Sequence, residues 1–504
     1  MWLLHLPVGR LVQHIPDDGF YYLVLARNFA LLHRWTFDGT APASGFHLLW
    51  GYLLACIFKC APSIGVKTIF ALGAGLEAAA MAFAAGLTVA ALSRLIAPKA
   101  AWPVAVIFLS AISLMQGTLM MEGPLVLLGG ALLLYQLSRG TGTRVSLVLG
   151  VLVGCFGSLA RSDFGLLPFW IFVVLLVSRP RDDERRRLTR IAGAQLAGAI
   201  LGVAVLFAHT YWLSGHFTQS SAQIKLLWAT VQHNGLKPLL VFQQELVSPL
   251  YNAVAPFETN FWSRHIIALL GYRVRNLLYL LLLVGAVGFF WRHRRKRSGA
   301  LVAAFLGVIT SYTLFYHFDG TVQVWYIVSF ELPVCALAVA AWNSMPERTQ
   351  FQLRPLAVLL CVAGFFFSFH AQDPWQEVMY RAGTLLRDHP ELKPVGSWNS
   401  GIISYFAGGG VTNLDGLVND DAVAYIKAGN LADYIGTRQI RHLVESPDIL
   451  TGSLAKRSGI ADGRLASCIV SRQELFPEDP FNVFDRTQLT LMTVDDACLV
   501  RPKS

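Results

Sequence analysis

Two adjacent carboxylates, Asp17 and Asp18, open a stretch that continues through Gly19, Phe20, Tyr21 and Tyr22 and carries Arg27 nine residues after Asp18. Asp18 or Gly19 could cap the helix that follows, since Asp is a favoured N-cap. Capping does not account for both carboxylates. Like charges side by side raise one pKa, which suits a general base or a cation site. Arg27 could anchor the helix at an interface by snorkelling. More charges punctuate the chain: Glu122 after Met121, Arg161 with Asp163, Lys225 after Gln223, and His317 before Asp319 and Trp325. Together these give carboxylates beside cations. Such a set can take a proton from an acceptor while neutralising a leaving phosphate, as sugar transfer from a lipid phosphate requires. No phosphate loop, dinucleotide glycine fingerprint, zinc spacing or Ser-His-Asp order is present.

The elements that must position these residues are membrane helices. Of 504 residues, 54% are hydrophobic and 14% charged, against about 25% charged in a soluble chain. That excludes a soluble enzyme, a disordered chain and a secreted disulfide scaffold. Apolar runs fall at 67–93, 101–116, 123–138, 145–160, 164–178, 191–213, 276–291, 299–316, 326–342 and 354–371. A span needs about 20 residues, with a range of roughly 17–25. Four basic clusters lie between these runs: Arg94 with Lys99, Arg139 with Arg144, 179–187, and 292–297. The positive-inside bias makes them cytoplasmic. That explains the net charge of +10 without nucleic acid. Residues 14–66, 117–122, 161–163, 214–275, 317–325 and everything after 371 then fall outside.

Residues 45–61 look like a span, but a full crossing would break this parity, so a re-entrant or juxtamembrane helix is expected. The segment before Ile15 is short for a span. It reads as a marginal first helix or as the remainder of a longer one. Glu77 lies among alanines and glycines inside a span and receives no role. After Gln372 the composition turns polar, and 372–504 reads as a small α/β domain. It should run strand, helix, strand, helix from Lys393 to Ala432. Its two cysteines, Cys468 and Cys498, can pair in an oxidising compartment.

The ordered set of motifs resembles the GT-C glycosyltransferases, integral membrane enzymes that use polyprenyl-phosphate sugars. Within them it is most similar to the bacterial protein-mannosyltransferase and arabinofuranosyltransferase-like group. The matching residues are Asp17 to Tyr22 with Ala26 to Asn28, Gly45 to Trp50, Met121 to Leu125, and Arg161 to Gly165. Gln223 to Lys225 and Trp325 to Pro333 match more loosely. Ser162 stands where the family usually has proline, Phe164 interrupts its usual Asp-Gly, and Gly45 to Trp50 lacks its proline.

The resemblance implies a polytopic α-helical GT-C protein of about 10–11 transmembrane helices, with residues 1–371 as the membrane module and 372–504 as the extracytoplasmic α/β domain. It implies an inverting transfer with Asp17 as general base and Asp18 orienting it or capping the helix. Arg161 and Lys225 would hold the donor phosphate. Glu122 would contact the sugar or the acceptor, and Arg27, Asp163, His317 and Trp325 would complete the substrate site. No metal or other cofactor is expected, although the carboxylates could bind a divalent ion. The expected partners are the bilayer, a polyprenyl-phosphate-sugar donor and a glycan, lipid or protein acceptor. The expected location is a bacterial inner membrane, with the site facing the periplasm or cell exterior. The competing readings are a transporter or flippase of a lipid-linked sugar, which should show inverted repeats and broken helices, and an assembly factor without catalysis.

Overall fold

A computed structural model describes residues 2–177, 183–232, 287–293, 296–317, 324–326, 328–370, 374–479 and 488–499. The first elements are α1 (Val8–Val12), α2 (Asp17–Leu32) and α3 (Leu48–Cys60). Helix α2 starts at Asp17 itself, with Pro16 at the cap position, so neither Asp18 nor Gly19 caps it. Both carboxylates lie in its first turn, where they complement the helix dipole. Helix α3 has 13 residues. At 1.5 Å per residue that is about 20 Å, too short to cross about 30 Å of hydrocarbon.

The apolar runs fold as helices, because only internal hydrogen bonding satisfies the backbone of a segment surrounded by lipid. They are α4 (Val66–Leu95), α5 (Ala101–Phe108), α6 (Ala111–Gln116), α7 (Gly123–Arg139), α8 (Arg144–Ala160), α9 (Leu166–Val177) and α10 (Asp183–Ser214). Then come α11 (Ser220–Gln232), α12 (Arg297–His317), α13 (Val328–Ser344) and α14 (Glu347–His370). The run at 101–116 divides into two helices because Ser110 turns to cap α6, its side chain accepting from Ser113 N–H. The run at 276–291 lies outside the described residues as far as 286, and 287–293 is helical. Among the described residues, three helices are long and apolar enough to cross a membrane: Val66–Leu95, Asp183–Ser214 and Glu347–Phe366.

The region after α14 begins with α15 (Pro374–Asp388) and contains a five-stranded sheet. Its strands are β1 (Val395–Ser397), β2 (Val411–Asn413), β3 (His442–Glu445), β4 (Ile469–Glu474) and β5 (Thr490–Val494), in the order β2-β1-β3-β5-β4. β1 pairs parallel with β2 and β3, and β5 pairs antiparallel with β3 and β4. α16 (Gly401–Ala407) joins β1 to β2, and α17 (Asp420–Ala428) follows β2. A Cys468–Cys498 disulfide, with Cα atoms 5.5 Å apart, ties the end of the sheet to the last described helix turn.

The helical part and the sheet region meet along α2. Phe20 packs against the rings of Tyr405 and Phe406. The Ser44 hydroxyl donates to Asp420 at 2.8 Å, and Asp420 N–H donates to the Pro42 carbonyl at 3.0 Å. At Gly45 the two parts approach so closely that a Cβ would lie 1.6 Å from the Leu417 carbonyl oxygen. Only glycine fits there.

Candidate functional site

Helix spacing sorts the two carboxylates onto different surfaces. Asp18 and Tyr22 are one helical turn apart, so they share a face of α2. Both line a cleft together with His47, Glu122, Lys225 and Tyr326. Tyr21 and Trp325 also line it. The loops that bring these groups together are fixed from behind. Glu77, which received no role from the sequence, accepts the Met121 N–H at 2.7 Å. The Trp50 indole donates to the Met120 carbonyl at 2.7 Å. Met120 takes a left-handed φ of 57°, uncommon for a side-chain-bearing residue, and these two bonds hold the turn that aims Glu122 inward.

Asp17 is not on the cleft. Its carboxylate accepts the backbone N–H groups of Gly401 at 3.1 Å and Ile402 at 2.7 Å, at the start of α16. A Cβ on Gly401 would lie 2.3 Å from the Asp17 carbonyl oxygen, so the contact requires glycine. This differs from the expected arrangement, in which Asp17 was the base facing the substrate. Burial pushes the Asp17 carboxyl up to about 7, against the two backbone donors that favour its charged form. Burial also raises Asp18, to about 6, with Lys225 pulling it down and Glu122 pushing it up.

Glu122 and Arg161 are 1% and 3% exposed and form the centre of a paired network. Glu122 accepts from the Tyr22 hydroxyl at 2.8 Å and from Arg161 Nη1 at 3.3 Å. His47 Nε2 lies 3.4 Å from Oε1, the oxygen that Arg161 also holds, while Tyr22 takes Oε2. Burial alone would push the Glu122 carboxyl up; His47 and Arg161 more than reverse that, leaving it below the usual carboxylate range. Arg161 Nε donates to Asp163 at 3.0 Å, and its Nη1 also donates to the Trp325 carbonyl. Arg161 and Lys225 do converge, since both lie over the Tyr326 ring, at 4.7 and 4.4 Å. Only Lys225 lines the cleft, however. Arg161 stands behind it, committed to carboxylates, which departs from the expectation that both cations hold a phosphate.

Arg27 lies elsewhere as well. Its guanidinium donates to the Tyr405 carbonyl at 3.1 Å and covers the Tyr405 ring, joining α2 to α16. Burial lowers its pKa. His317 ends α12, and its side chain lies outside the described residues. Among the described residues, no group of three or more His, Cys, Asp or Glu side chains gathers as a metal site.

Two residues without a signal of their own enter the picture. The Tyr21 hydroxyl contacts Asp415 at 2.9 Å and the Trp398 carbonyl at 3.0 Å. Burial pushes the Asp415 carboxyl up to about 7, against hydrogen bonds from Leu417 N–H and Tyr21. His47 was quoted only as part of a motif, and its place beside Glu122 depends on the turn before α3.

With this geometry in hand, comparison with solved structures decides the fold. ArnT from Cupriavidus metallidurans, bound to undecaprenyl phosphate, superposes with a TM-score of 0.55 at 13% identity, over 98% of this chain and 97% of that one. The fold is that of the GT-C glycosyltransferases. The archaeal oligosaccharyltransferase AglB from Archaeoglobus fulgidus, in complex with an inhibitory peptide and a dolichol-phosphate, shares the GT-C fold. It gives a TM-score of 0.53 at 12% identity, over 94% of this chain and 72% of that one. No family model and no curated protein matches the sequence.

Proposed function

We propose that the chain is an inverting glycosyltransferase that moves a sugar from a polyprenyl-phosphate donor to an acceptor hydroxyl at the outer face of a bacterial inner membrane. The observation that carries this reading is a single cleft bearing the Asp18 carboxylate and the Lys225 ammonium, within the GT-C fold. The similar ArnT and AglB structures hold undecaprenyl phosphate and a dolichol-phosphate, which supports a donor of this class. The Cys468–Cys498 disulfide supports an oxidising location for the sheet region, and with the basic loops it supports the orientation.

Asp18 is the base in this reading, and Asp17 is a seam residue. A carboxyl near 6 is mostly ionised at neutral pH and still basic enough to take a proton. The acceptor oxygen attacks the anomeric carbon and its proton passes to Asp18. The bond from that carbon to the phosphate oxygen breaks, and its electron pair leaves with the polyprenyl phosphate. Lys225 stabilises the charge that develops there. One displacement inverts the anomeric centre. Glu122 is already paired with Arg161, so a second carboxylate nucleophile is not assigned. No step is routed through a metal, and transfer in the presence of a chelator is expected.

The test uses the full chain in detergent with a panel of polyprenyl-phosphate sugars. Free polyprenyl phosphate should appear with wild type and not with Asp18→Asn. Movement of intact donor across a vesicle membrane, without release of polyprenyl phosphate, would favour the transporter reading.

A further inference from the structure

A second cavity opens between α11 and the sheet region. Its lining includes Trp228, Trp398, Asn399, Asp415, Asp448 and Arg457. Helix α11 serves both cavities. Lys225 lines the first, and Trp228, three residues on, lines the second. Three residues are about one turn of helix, so the two cavities follow each other along α11. Across from it, Tyr21 lines the first cavity and its hydroxyl contacts Asp415, which lines the second. The cavities therefore share a wall one turn from Asp18.

We propose that the second cavity is the acceptor subsite and that it binds a neutral saccharide. This rests on the glycosyl-transfer reading of the first cavity. The chemistry of the lining selects the ligand. Indole faces are electron-rich and apolar, and they match the C–H face of a sugar ring. The carboxyl groups and the Asn399 amide match its hydroxyls, because both kinds of group pair with O–H. Three carboxylates, those of Asp415, Glu445 and Asp448, face one guanidinium, so a phosphate is disfavoured.

The platform is also preorganised. Glu445 accepts from Trp398 N–H at 3.1 Å, Asn399 N–H at 2.9 Å, Asn399 Nδ2 at 3.2 Å and Ser446 N–H at 3.0 Å. Those bonds fix the turn that presents Trp398 and Asn399. Arg457 lies 4.4 Å over the Trp228 ring and holds that indole in place. Trp398 is 3% exposed and its Nε1–H has no acceptor. Trp398 therefore backs the wall, and the half-buried Trp228 supplies the ring face.

The experiment is saturation-transfer NMR on the full chain in detergent, with methyl glycosides, a short serine- and threonine-containing peptide, and polyprenyl phosphate as separate probes. At least one methyl glycoside should bind. Trp228→Ala should weaken that binding by about tenfold or more through the lost stacking face. Trp228→Phe should retain most of it, and polyprenyl phosphate should bind wild type and both variants alike. Glycoside binding that is indifferent to Trp228→Ala, or no glycoside binding while polyprenyl phosphate binds, overturns the subsite. Peptide binding that Trp228→Ala removes, with none by glycosides, makes the cavity a peptide site instead. A wild-type chain that binds glycosides but not polyprenyl phosphate defeats the donor reading and leaves the saccharide site standing.

Discussion

The Asp17 carboxylate, in the first turn of α2, accepts the Ile402 N–H at 2.7 Å across 385 positions of chain. One residue later on the same helix, Asp18 lines the cleft that Lys225 also lines. Successive residues on a helix point about 100° apart, and that rotation gives two like side chains two different surroundings.

The first prediction ranks the pair. Asp18→Asn should lower turnover by about 10²–10⁴-fold, the usual range for a lost general base, with the protein still folded and inserted. Asp17→Asn keeps an acceptor oxygen for Ile402 and should cost about 1 kcal/mol of stability, with a smaller loss of turnover. Donor turnover and thermal unfolding of both variants check this. A reversed ranking of turnover returns the base to Asp17.

The second prediction follows from the raised Asp17 pKa. Its carboxyl titrates near 7 in the folded protein against an ordinary 3.8. Between those values the folded state holds more protons than the unfolded one. The contribution to stability is therefore full below about pH 4 and is lost as pH rises through about 7. Asp18, near 6, and Asp415, near 7, add slopes of the same sign. Melting temperature should fall from about pH 5 to about pH 8, and less steeply in Asp17→Asn. Equal slopes for wild type and variant would remove Asp17 from this linkage.

What the sequence made legible was what short-range physics dictates. The long apolar runs fold as helices because the backbone in a hydrocarbon layer has few alternatives. The alternation of β1, α16, β2 and α17 followed from local composition. Cys468 and Cys498 were the sole pair available to each other in their region. The pairing of Arg161 with Asp163 was visible at two residues' spacing. The division of labour between Asp17 and Asp18 was not, because it depends on Gly401 and Ile402, which no local pattern connects to α2. Tyr21 with Asp415, and Glu77 with Met121, were hidden for the same reason: each is a bond between distant segments. Arg161 was expected at a phosphate because the family resemblance implied it. The partner that it has, Glu122, lies 39 positions before it.

The third prediction concerns the disulfide. Cys468 and Cys498 close a loop with a sequence separation of 30, worth about 3–4 kcal/mol in the chain-entropy account. Cys468→Ser should lower the stability of the sheet region by that order. In intact cells, an impermeant maleimide should label Cys498 in Cys468→Ser and leave both cysteines of the wild type unmodified. Labelling of the variant only after lysis would put the sheet region on the cytoplasmic side.

The last prediction separates the two cations around Tyr326. Lys225 lines the cleft and Arg161 is bonded to Glu122 and Asp163 behind it. Lys225→Met removes a charge lining the cleft while keeping most of the stem. A hydrogen bond to a charged group contributes about 1.5–3 kcal/mol, so polyprenyl phosphate should bind at least about tenfold more weakly, with little change in melting temperature. Arg161→Met instead leaves Glu122 and Asp163 buried without their cation, which costs about 3–5 kcal/mol. Its main effect should be a lower melting temperature. Isothermal titration with polyprenyl phosphate and thermal unfolding of both variants distinguish the two. If Arg161→Met loses donor affinity at unchanged stability, the guanidinium reaches the phosphate and the buried network is not its principal role.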